Sequence, residues 1–320
     1  MSKDAEPLDD LEYRHAPGTR VHYWARHRVT DLAAVARLVL HLPGILFSLV
    51  LVLLLARGLQ YVTGVPYGIP TGLWLAAAGV LAFHRPTEAL LARYLLRLGH
   101  PVPQEAALLG PVWREVTARA GVDGTRYQLW VEESDELNAS AAGGHLVIVT
   151  RHSLETLPTS QLAAVLAHEL GHHAGGHAWT RMLSWWYALP GRLVWKALVG
   201  LVRMVPRGRR RTAPTTLLVP AALVGWLTYR TVPHSLGLGL LLLALAALVT
   251  VPLLIAAAGR RAELRADRHA AALGFGPPLA EVLMSEPQED ERGLLRLLLS
   301  SHPPPRTRLH HLQRHLELQG

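Results

Sequence analysis

The chain has no cysteine among its 320 residues, and it carries little charge. Without cysteine there are no disulfides and no thiolate ligands, so a bound metal must use histidine and carboxylate side chains. Charged residues make up 18% of the chain, whereas an average soluble domain has about 25%. The sequence also lacks a Gly-rich phosphate loop and a serine-nucleophile motif, which argues against nucleotide-binding and serine-hydrolase functions.

Half of the residues are hydrophobic, and they are concentrated in four blocks. The blocks cover residues 33–55, 62–83, 215–227 and 236–258. Because about 20 apolar residues span a bilayer, the blocks predict about four transmembrane helices, of which the third is marginal. The first block follows a long polar stretch, and no small-residue cleavage site comes after it. We therefore expect an anchor that is retained, not a cleaved signal peptide.

Positive charge predicts how these helices are oriented. Arginines flank the outer ends of the two predicted hairpins, whereas the loops inside the hairpins carry few of them. The positive-inside rule therefore places both chain termini and the segments beside them on the cytoplasmic face of the cell (inner) membrane. One basic cluster is expected to meet anionic lipid headgroups, and no nucleic-acid partner is expected. The cluster consists of Arg207, Arg209, Arg210 and Arg211.

The most specific motif is His168-Glu169-x-x-His172, inside an apolar helical stretch over residues 161–177. Residues four apart lie on one face of a helix, so both imidazoles can bind one Zn²⁺ per chain. Glu169 lies one residue round the helix, where its carboxylate can act on a water instead of binding the metal. The spacing predicts a zinc peptidase with His168 and His172 as ligands and Glu169 as general base. A chance match in a histidine-rich chain is the alternative.

A second motif, Arg260-x-x-Glu263-x-x-x-Asp267, can complete this site. Two imidazoles leave a catalytic zinc one protein ligand short, and a carboxylate from a separate helix is a common completion. We expect Glu263 to be that ligand and Asp267, one turn later, to accept the free ring N–H of a zinc histidine. An ordinary solvated helix is the alternative for this segment. If Glu263 meets His168, an even number of membrane crossings must separate them.

Together the two motifs resemble those of the HtpX-like membrane metallopeptidases, gluzincin-type relatives of the CAAX prenyl protease. Two weaker segments also resemble that family. Asn138-Ala139, followed by Gly143-Gly144 and the strand-like residues 145–150, is similar to its edge strand ahead of the zinc helix. Ser301-His302-Pro303-Pro304, with Arg308, is similar to its C-terminal His-Pro segment. The resemblance covers residues 85–180 and 259–312.

The resemblance implies further contacts with a substrate. An exposed strand edge can hydrogen-bond an extended peptide, and Asn138 and Ala139 are the candidates for that contact. A flexible loop over residues 138–144 is the alternative. His302 can donate a hydrogen bond to the oxyanion of the transition state, and a turn or helix-capping role is its alternative.

We expect an α+β, mostly helical integral membrane protein with a small zincin-type metalloprotease domain. Five segments are predicted: a cytoplasmic tail (1–32), a first transmembrane hairpin (33–84), a first protease part (85–180), interfacial helices with a second hairpin (181–258), and a second protease part (259–320). Residues 181–205 are apolar and Trp-rich, with recurring basic residues. They are expected at the membrane interface; in the alternative they cross the membrane and the marginal third block does not.

The expected function is a membrane-integral zinc endopeptidase that cleaves cytosol-exposed polypeptide segments. The chemistry follows from the motifs, and the choice of misfolded or membrane proteins as substrates follows from the resemblance alone. Two alternatives keep the same fold. One is a catalytically silent membrane scaffold or sensor, and the other is a prenyl-protein (CAAX-type) protease.

Overall fold

The computed structural model describes residues 8–15, 32–142, 144–174, 177–204, 234–286 and 300–318. The chain divides into two compact units. The first, which we call the sheet unit, comprises Met1–Val39, Ala76–Trp186 and Ala256–Gly320. The second, the insert unit, comprises Leu40–Leu75 and Tyr187–Ile255. The sheet unit thus joins stretches of sequence from both sides of the insert.

The described residues are mostly helical with one small sheet, as the sequence predicted. The helices are α1 (Leu32–Thr63), α2 (Gly68–Phe83), α3 (Arg85–Leu90), α4 (Pro103–Arg119), α5 (Arg151–Thr156), α6 (Thr159–Ala174), α7 (His177–Tyr187), α8 (Leu189–Met204), α9 (His234–Ala270), α10 (Gly276–Ser285) and α11 (Pro305–Glu317). Single π-helical turns over Leu91–Leu95 and Ala271–Phe275 continue α3 and α9. The strands are β1 (Gln128–Glu132), β2 (Ala139–Ala142) and β3 (Leu146–Thr150).

Within the described residues, one helical stretch is long and apolar enough to cross a membrane, Leu38–Thr63 of α1. Helix α2 is apolar but has only 16 residues. The third predicted block, residues 215–227, lies outside the described residues, as do Arg207, Arg209, Arg210 and Arg211. The fourth block lies within α9, and the described part of residues 181–205, which ends at Met204, falls mainly in α7 and α8. Four crossings therefore stay a prediction.

The sheet has the strand order β1-β3-β2. Strand β3 runs parallel to β1 and antiparallel to β2, and all five of its residues are buried. Its sequence, Leu-Val-Ile-Val-Thr, is apolar on both faces, which is typical of a central strand. The expectation that the strand over residues 145–150 forms the sheet edge is therefore wrong. The edge ahead of α6 is β2, so residues 139–142 are a strand and not a loop.

Helix α6 is the centre of the sheet unit. Leu162, Leu166 and Leu170 are at most 1% exposed and recur every four residues along it. They belong to a hydrophobic core that also includes side chains of α4, β3 and α10. Burying such a side chain is worth about 1.5–3 kcal/mol. The helix that carries the predicted zinc ligands is thus held in place by packing on several sides.

The start of α6 is capped from far away in the sequence. The Ser160 backbone N–H donates to Asp10 Oδ1 at 2.8 Å, and its hydroxyl donates to Oδ2 at 2.7 Å. The Thr159 N–H donates to the carbonyl of Leu8 at 3.0 Å. Burial opposes ionisation of Asp10, but the hydrogen bonds from Ser160 lower its pKa. Residues 8–15 therefore satisfy the first N–H groups of α6, which have no partners within the helix itself.

A buried ion pair holds the same N-terminal segment against α4. Glu115 is 1% exposed and accepts the backbone N–H groups of Arg14 and His15, each at 3.0 Å. It also accepts the Nε–H of Arg119 at 2.8 Å. The Arg119 guanidinium lies over the ring of Phe275, 4.4 Å from its centroid. One carboxylate thus connects the N-terminal segment, α4 and the end of the α9 segment.

Replacing Glu115 with Gln should lower the free energy of unfolding of the sheet unit by about 3 kcal/mol, because it leaves a buried guanidinium without its counter-charge. Burial opposes ionisation of Glu115, but hydrogen bonds from Arg119, Arg14 and His15 lower its pKa below the ordinary 4.5. The difference from wild type should therefore be present above pH 4.5 and should vanish as the pH falls through the lower folded-state pKa. Thermal or denaturant unfolding in detergent at several pH values measures it.

The matched control is Glu12→Gln, because the Glu12 side chain is 79% exposed and its ion pair with Arg14 lies at the surface. It should change stability by less than about 1 kcal/mol. Equal destabilisation by the two variants, or a Glu115 effect that grows in acid, would contradict this account.

Candidate active site

Helix α6 presents His168 and His172 on one face. Their rings lie edge to face with centroids 4.9 Å apart, and His168 is 6% exposed. Glu169, beside them, is also 6% exposed. Each of His168, Glu169 and His172 offers one ligand-type atom, and these atoms lie within 4.8 Å of one another. Because α6 is packed in the core, its three polar side chains are held close together at one end of that core.

Helix α9 carries two carboxylates to the same place. Glu263 Oε2 lies 3.3 Å from His168 Nε2, and Glu263 Oε1 lies 3.5 Å from His172 Nε2. One turn later, Asp267 Oδ1 lies 2.8 Å from His168 Nδ1. Both carboxylates are buried, with 8% of Glu263 and 2% of Asp267 exposed. The structure thus brings the three named residues of the first motif, and Glu263 and Asp267 of the second, into one cluster.

The two helices can meet this closely because residue 171 is glycine. A Cβ atom on Gly171 would lie 3.0 Å from the Ala266 Cα and 3.1 Å from the His269 Cβ. Backbone atoms cannot yield to such a contact as the tip of a flexible side chain can. The glycine between the two histidines therefore permits α9 to approach α6 within reach of both rings.

Arg308, from α11, fixes the second carboxylate. Its Nη2–H donates to Asp267 Oδ1 at 2.6 Å and its Nε–H donates to Oδ2 at 3.0 Å. Arg308 Nη2 also lies 3.4 Å from His168 Nδ1. The shorter 2.8 Å contact with Asp267 makes His168 Nδ1 the protonated nitrogen, because a carboxylate can only accept. The other ring nitrogen, His168 Nε2, then faces Glu263.

Glu169 does not share the contacts of Glu263. Its Oε2 accepts the backbone N–H of Ala141 in β2 at 2.6 Å. The carbonyl of Ala141 in turn accepts a hydrogen bond from Arg181 Nη2 at 3.4 Å. The edge strand therefore holds one oxygen of Glu169, Oε2, while the residue lines the cavity in front of the cluster.

A second residue of β2, Ala139, also points its backbone groups away from the sheet, but it does not make the contacts with Glu169 and Arg181 that Ala141 makes. The Thr150 N–H donates to the carbonyl of Asn138, so Asn138 pairs towards β3. In an antiparallel ladder the next residue then points its N–H and C=O outwards. That residue is Ala139, and both Asn138 and Ala139 line the cavity in front of the cluster. The cavity has a volume of about 350 Å³.

His302 lies at the mouth of the same cavity. Its Nε2 is 3.5 Å from Glu263 Oε1, and its side chain is 71% exposed. Gly259, one turn before Glu263 on α9, makes this possible, because a Cβ there would lie 2.6 Å from the Ser301 Cβ. The Arg260 Nη1–H also donates to the carbonyl of Ser300 at 2.8 Å. The His-Pro segment is thus held against α9.

The electrostatics of the cluster are strongly coupled. Burial raises the pKa of Glu169 to about 7. Burial alone would lower the pKa of His168, but its hydrogen bonds to Asp267 and Glu263 raise it to about 9. Burial would likewise raise the pKa of Glu263, yet the hydrogen bond and charge of His168 lower it to about 2. The pKa of Asp267 is lowered too, by its hydrogen bonds to His168 and Arg308, against the effect of burial.

Two contacts of the site were not anticipated from the sequence. Arg308 was noted only as part of the His-Pro segment, and its two hydrogen bonds to Asp267 reveal what it touches. The Ala141 N–H, which holds Glu169, carries no side-chain signal at all. A basic residue following a helix with paired carboxylates could have suggested the first, but no pattern could have suggested the second.

The comparison with protein families agrees with this geometry. Residues 103–316 match the family described as Peptidase family M48. The matched region contains all the clustered residues and the edge strand. A search of curated proteins finds no match. Because the match covers more than half of the chain and confirms the resemblance of its motifs, the protein belongs to the M48 family of metallopeptidases.

Proposed function

We propose that this protein is a membrane-integral zinc endopeptidase that hydrolyses cytosol-exposed segments of misfolded or membrane proteins. The observation that supports it best is the convergence of two imidazole nitrogens and a carboxylate, with a second carboxylate beside them, in a cavity bordered by an open strand edge.

The donor set fits a zinc ion. His168 Nε2, His172 Nε2 and Glu263 are the nitrogen and oxygen ligands that catalytic zinc sites use. Asp267 accepts the Nδ1–H of His168 and so orients that ring, as the partners of zinc histidines commonly do. His168, His172 and Glu263 would therefore hold the metal. When bound there, Zn²⁺ supplies Lewis acidity towards water and towards a peptide carbonyl.

Glu169 is the proposed general base. Its Oε2 is occupied by the Ala141 N–H, so Oε1 accepts the proton of the attacking water. The same oxygen then returns the proton to the nitrogen of the leaving amine. The short contact with the Ala141 N–H fixes the direction of the carboxylate, which keeps Oε1 aimed into the cavity.

The strand edge and His302 position the substrate in this proposal. The Ala139 N–H and C=O would pair with an extended peptide and would bind its backbone whatever the side chains are. Asn138, which precedes Ala139 at the cavity wall, would contact the same peptide. His302 Nε2 would donate a hydrogen bond to the developing oxyanion, since this ring lies at the mouth of the cavity beside Glu263.

The membrane part of the proposal rests on the apolar stretch of α1 and on the charge asymmetry of the sequence. Two hairpins would keep both parts of the sheet unit on one face of the membrane, which the meeting of His168 with Glu263 requires. The charge asymmetry would make that face the cytoplasmic one. Anionic lipid headgroups are the proposed partners of Arg207, Arg209, Arg210 and Arg211.

Glu169→Gln should retain zinc and lose hydrolysis, because the ligands remain and the base does not. Turnover of an unfolded protein such as casein should fall at least about 100-fold, while metal analysis should still give one zinc per chain. The control is Glu155→Gln, an exposed glutamate of α5 in the same unit, which should hydrolyse at the wild-type rate. Wild-type turnover by Glu169→Gln would exclude the mechanism, and a wild-type protein that binds no zinc would favour the scaffold or sensor.

Glu263→Ala and Asp267→Asn should differ in kind. Removing Glu263 leaves two imidazoles as ligands, so zinc should be lost on dialysis and hydrolysis should disappear. Asp267→Asn keeps all three ligands and should weaken zinc affinity about 10- to 100-fold, as removal of an outer partner does. Competition with a chelator measures both affinities. Unchanged affinity in Glu263→Ala would show that another residue is the third ligand.

Cysteine labelling tests the topology, which a chain without native cysteine makes simple. Glu155→Cys and Ser285→Cys place exposed thiols on the two halves of the sheet unit, and Val65→Cys places one in the exposed α1–α2 loop. The first two should react only from the cytoplasmic side and the third only from outside. The cysteine-free parent should not react at all. If residues 155 and 285 label from opposite faces, Glu263 cannot be a ligand.

A further inference from the structure

Part of the cavity wall is apolar and continues the metal-binding face of α6. Val165 lies one turn before His168 and Glu169 on the same face of the helix, and it lines the cavity. Leu279, Val282 and Leu283 of α10 line it as well. A substrate residue beside the scissile bond would therefore place its side chain against aliphatic groups.

One acidic side chain, Glu286, stands in this apolar wall. It follows the last residue of α10, its backbone N–H donates to the carbonyl of Val282 at 3.2 Å, and it lines the cavity half-buried. In the described part of the chain, the structure gives its carboxylate neither a hydrogen bond nor an ion pair. This distinguishes it from Glu263 and Glu169, both of which have close partners.

The charges around Glu286 do not neutralise it. Burial raises its pKa, and the positive charges of Arg308 and His168 oppose that rise. Of these two cations Arg308 has the larger effect on that pKa, but its guanidinium already donates two hydrogen bonds to Asp267, of 2.6 and 3.0 Å. A carboxylate that is partly removed from water and has no ion-pair partner among the described residues is costly, so this position favours binding of a cation.

We propose that Glu286 selects a lysine or arginine side chain next to the scissile bond of the substrate. Such side chains have an aliphatic stem and a charged end, which match the apolar wall and the carboxylate respectively. A leucine would fill the apolar part but would leave Glu286 further desolvated and unpaired. An acidic residue would be repelled. This inference rests on the proposed peptidase function and adds a substrate class to it.

The test uses the zinc-loaded full-length protein in detergent and peptides that differ at one residue at a time on either side of the cleavage site. Wild type should cleave peptides with Lys or Arg at one of these positions about tenfold to 100-fold faster, by kcat/KM, than those with Leu. In Glu286→Gln the ratio of kcat/KM for the Lys peptide to that for the Leu peptide should fall to near one. In Glu286→Lys a peptide with Glu at the same position should become the better substrate. The matched control is Glu281→Gln, an exposed glutamate of α10, which should keep the wild-type ratio.

A binding measurement separates substrate recognition from turnover. In the Glu169→Gln background, a fluorescent Lys peptide should bind about tenfold more weakly when Glu286→Gln is added, and added salt should narrow the difference. Equal cleavage of Lys and Leu peptides by wild type would overturn the assignment of Glu286 alone. A lower melting temperature of Glu286→Gln with an unchanged ratio would overturn it as well, because the role would then be structural. No cleavage of any peptide by the zinc-loaded wild type would instead overturn the proposed function.

Discussion

The close approach of α6 to α9 is the constraint on which the candidate site depends. His168 and His172 lie on one helix and Glu263 and Asp267 on the other, so contact between the helices decides whether the four side chains meet. Gly171 allows that contact, because a methyl group there would press on the backbone of Ala266. Protein interiors are packed too densely to absorb such an overlap without moving a helix. The glycine inside the motif is therefore as much a part of the site as the histidines on either side of it.

The same contact buries several charges, and these are balanced as a set. His168 lies between Glu263 and Asp267, and Arg308 binds Asp267 through two hydrogen bonds. A buried ion costs free energy unless it is paired and hydrogen-bonded. Each of these four charged side chains has such a partner, so the cluster can exist in the core without unfolding the protein. The cost of assembling these charges is offset by packing of α6, whose leucines are almost completely inaccessible to water.

The local motifs of the sequence predicted which residues form the centre of the site. They did not predict the contacts between residues that are far apart in the sequence. Spacing of four residues places His168 and His172, and likewise Glu263 and Asp267, on common helix faces, so helical periodicity alone groups them in pairs. The docking of Asp10 on the start of α6, over about 150 residues of sequence, has no local signature. The edge strand was ambiguous because its four residues, Ala-Ser-Ala-Ala, have little β-propensity of their own. It forms because β3 beside it is buried, so the backbone N–H and C=O groups of β3 need hydrogen-bond partners along both of its edges.

The order of these elements along the chain has a consequence for biosynthesis. His168, Glu169 and His172 precede the second stretch of the insert unit, Tyr187–Ile255, whereas Glu263 and Arg308 follow it. A ribosome therefore releases the motif helix long before it makes the carboxylate that would complete the ligand set. A nascent or truncated chain would hold two imidazoles and a base without their third partner. On the proposed ligand set, hydrolysis would therefore require the finished polypeptide.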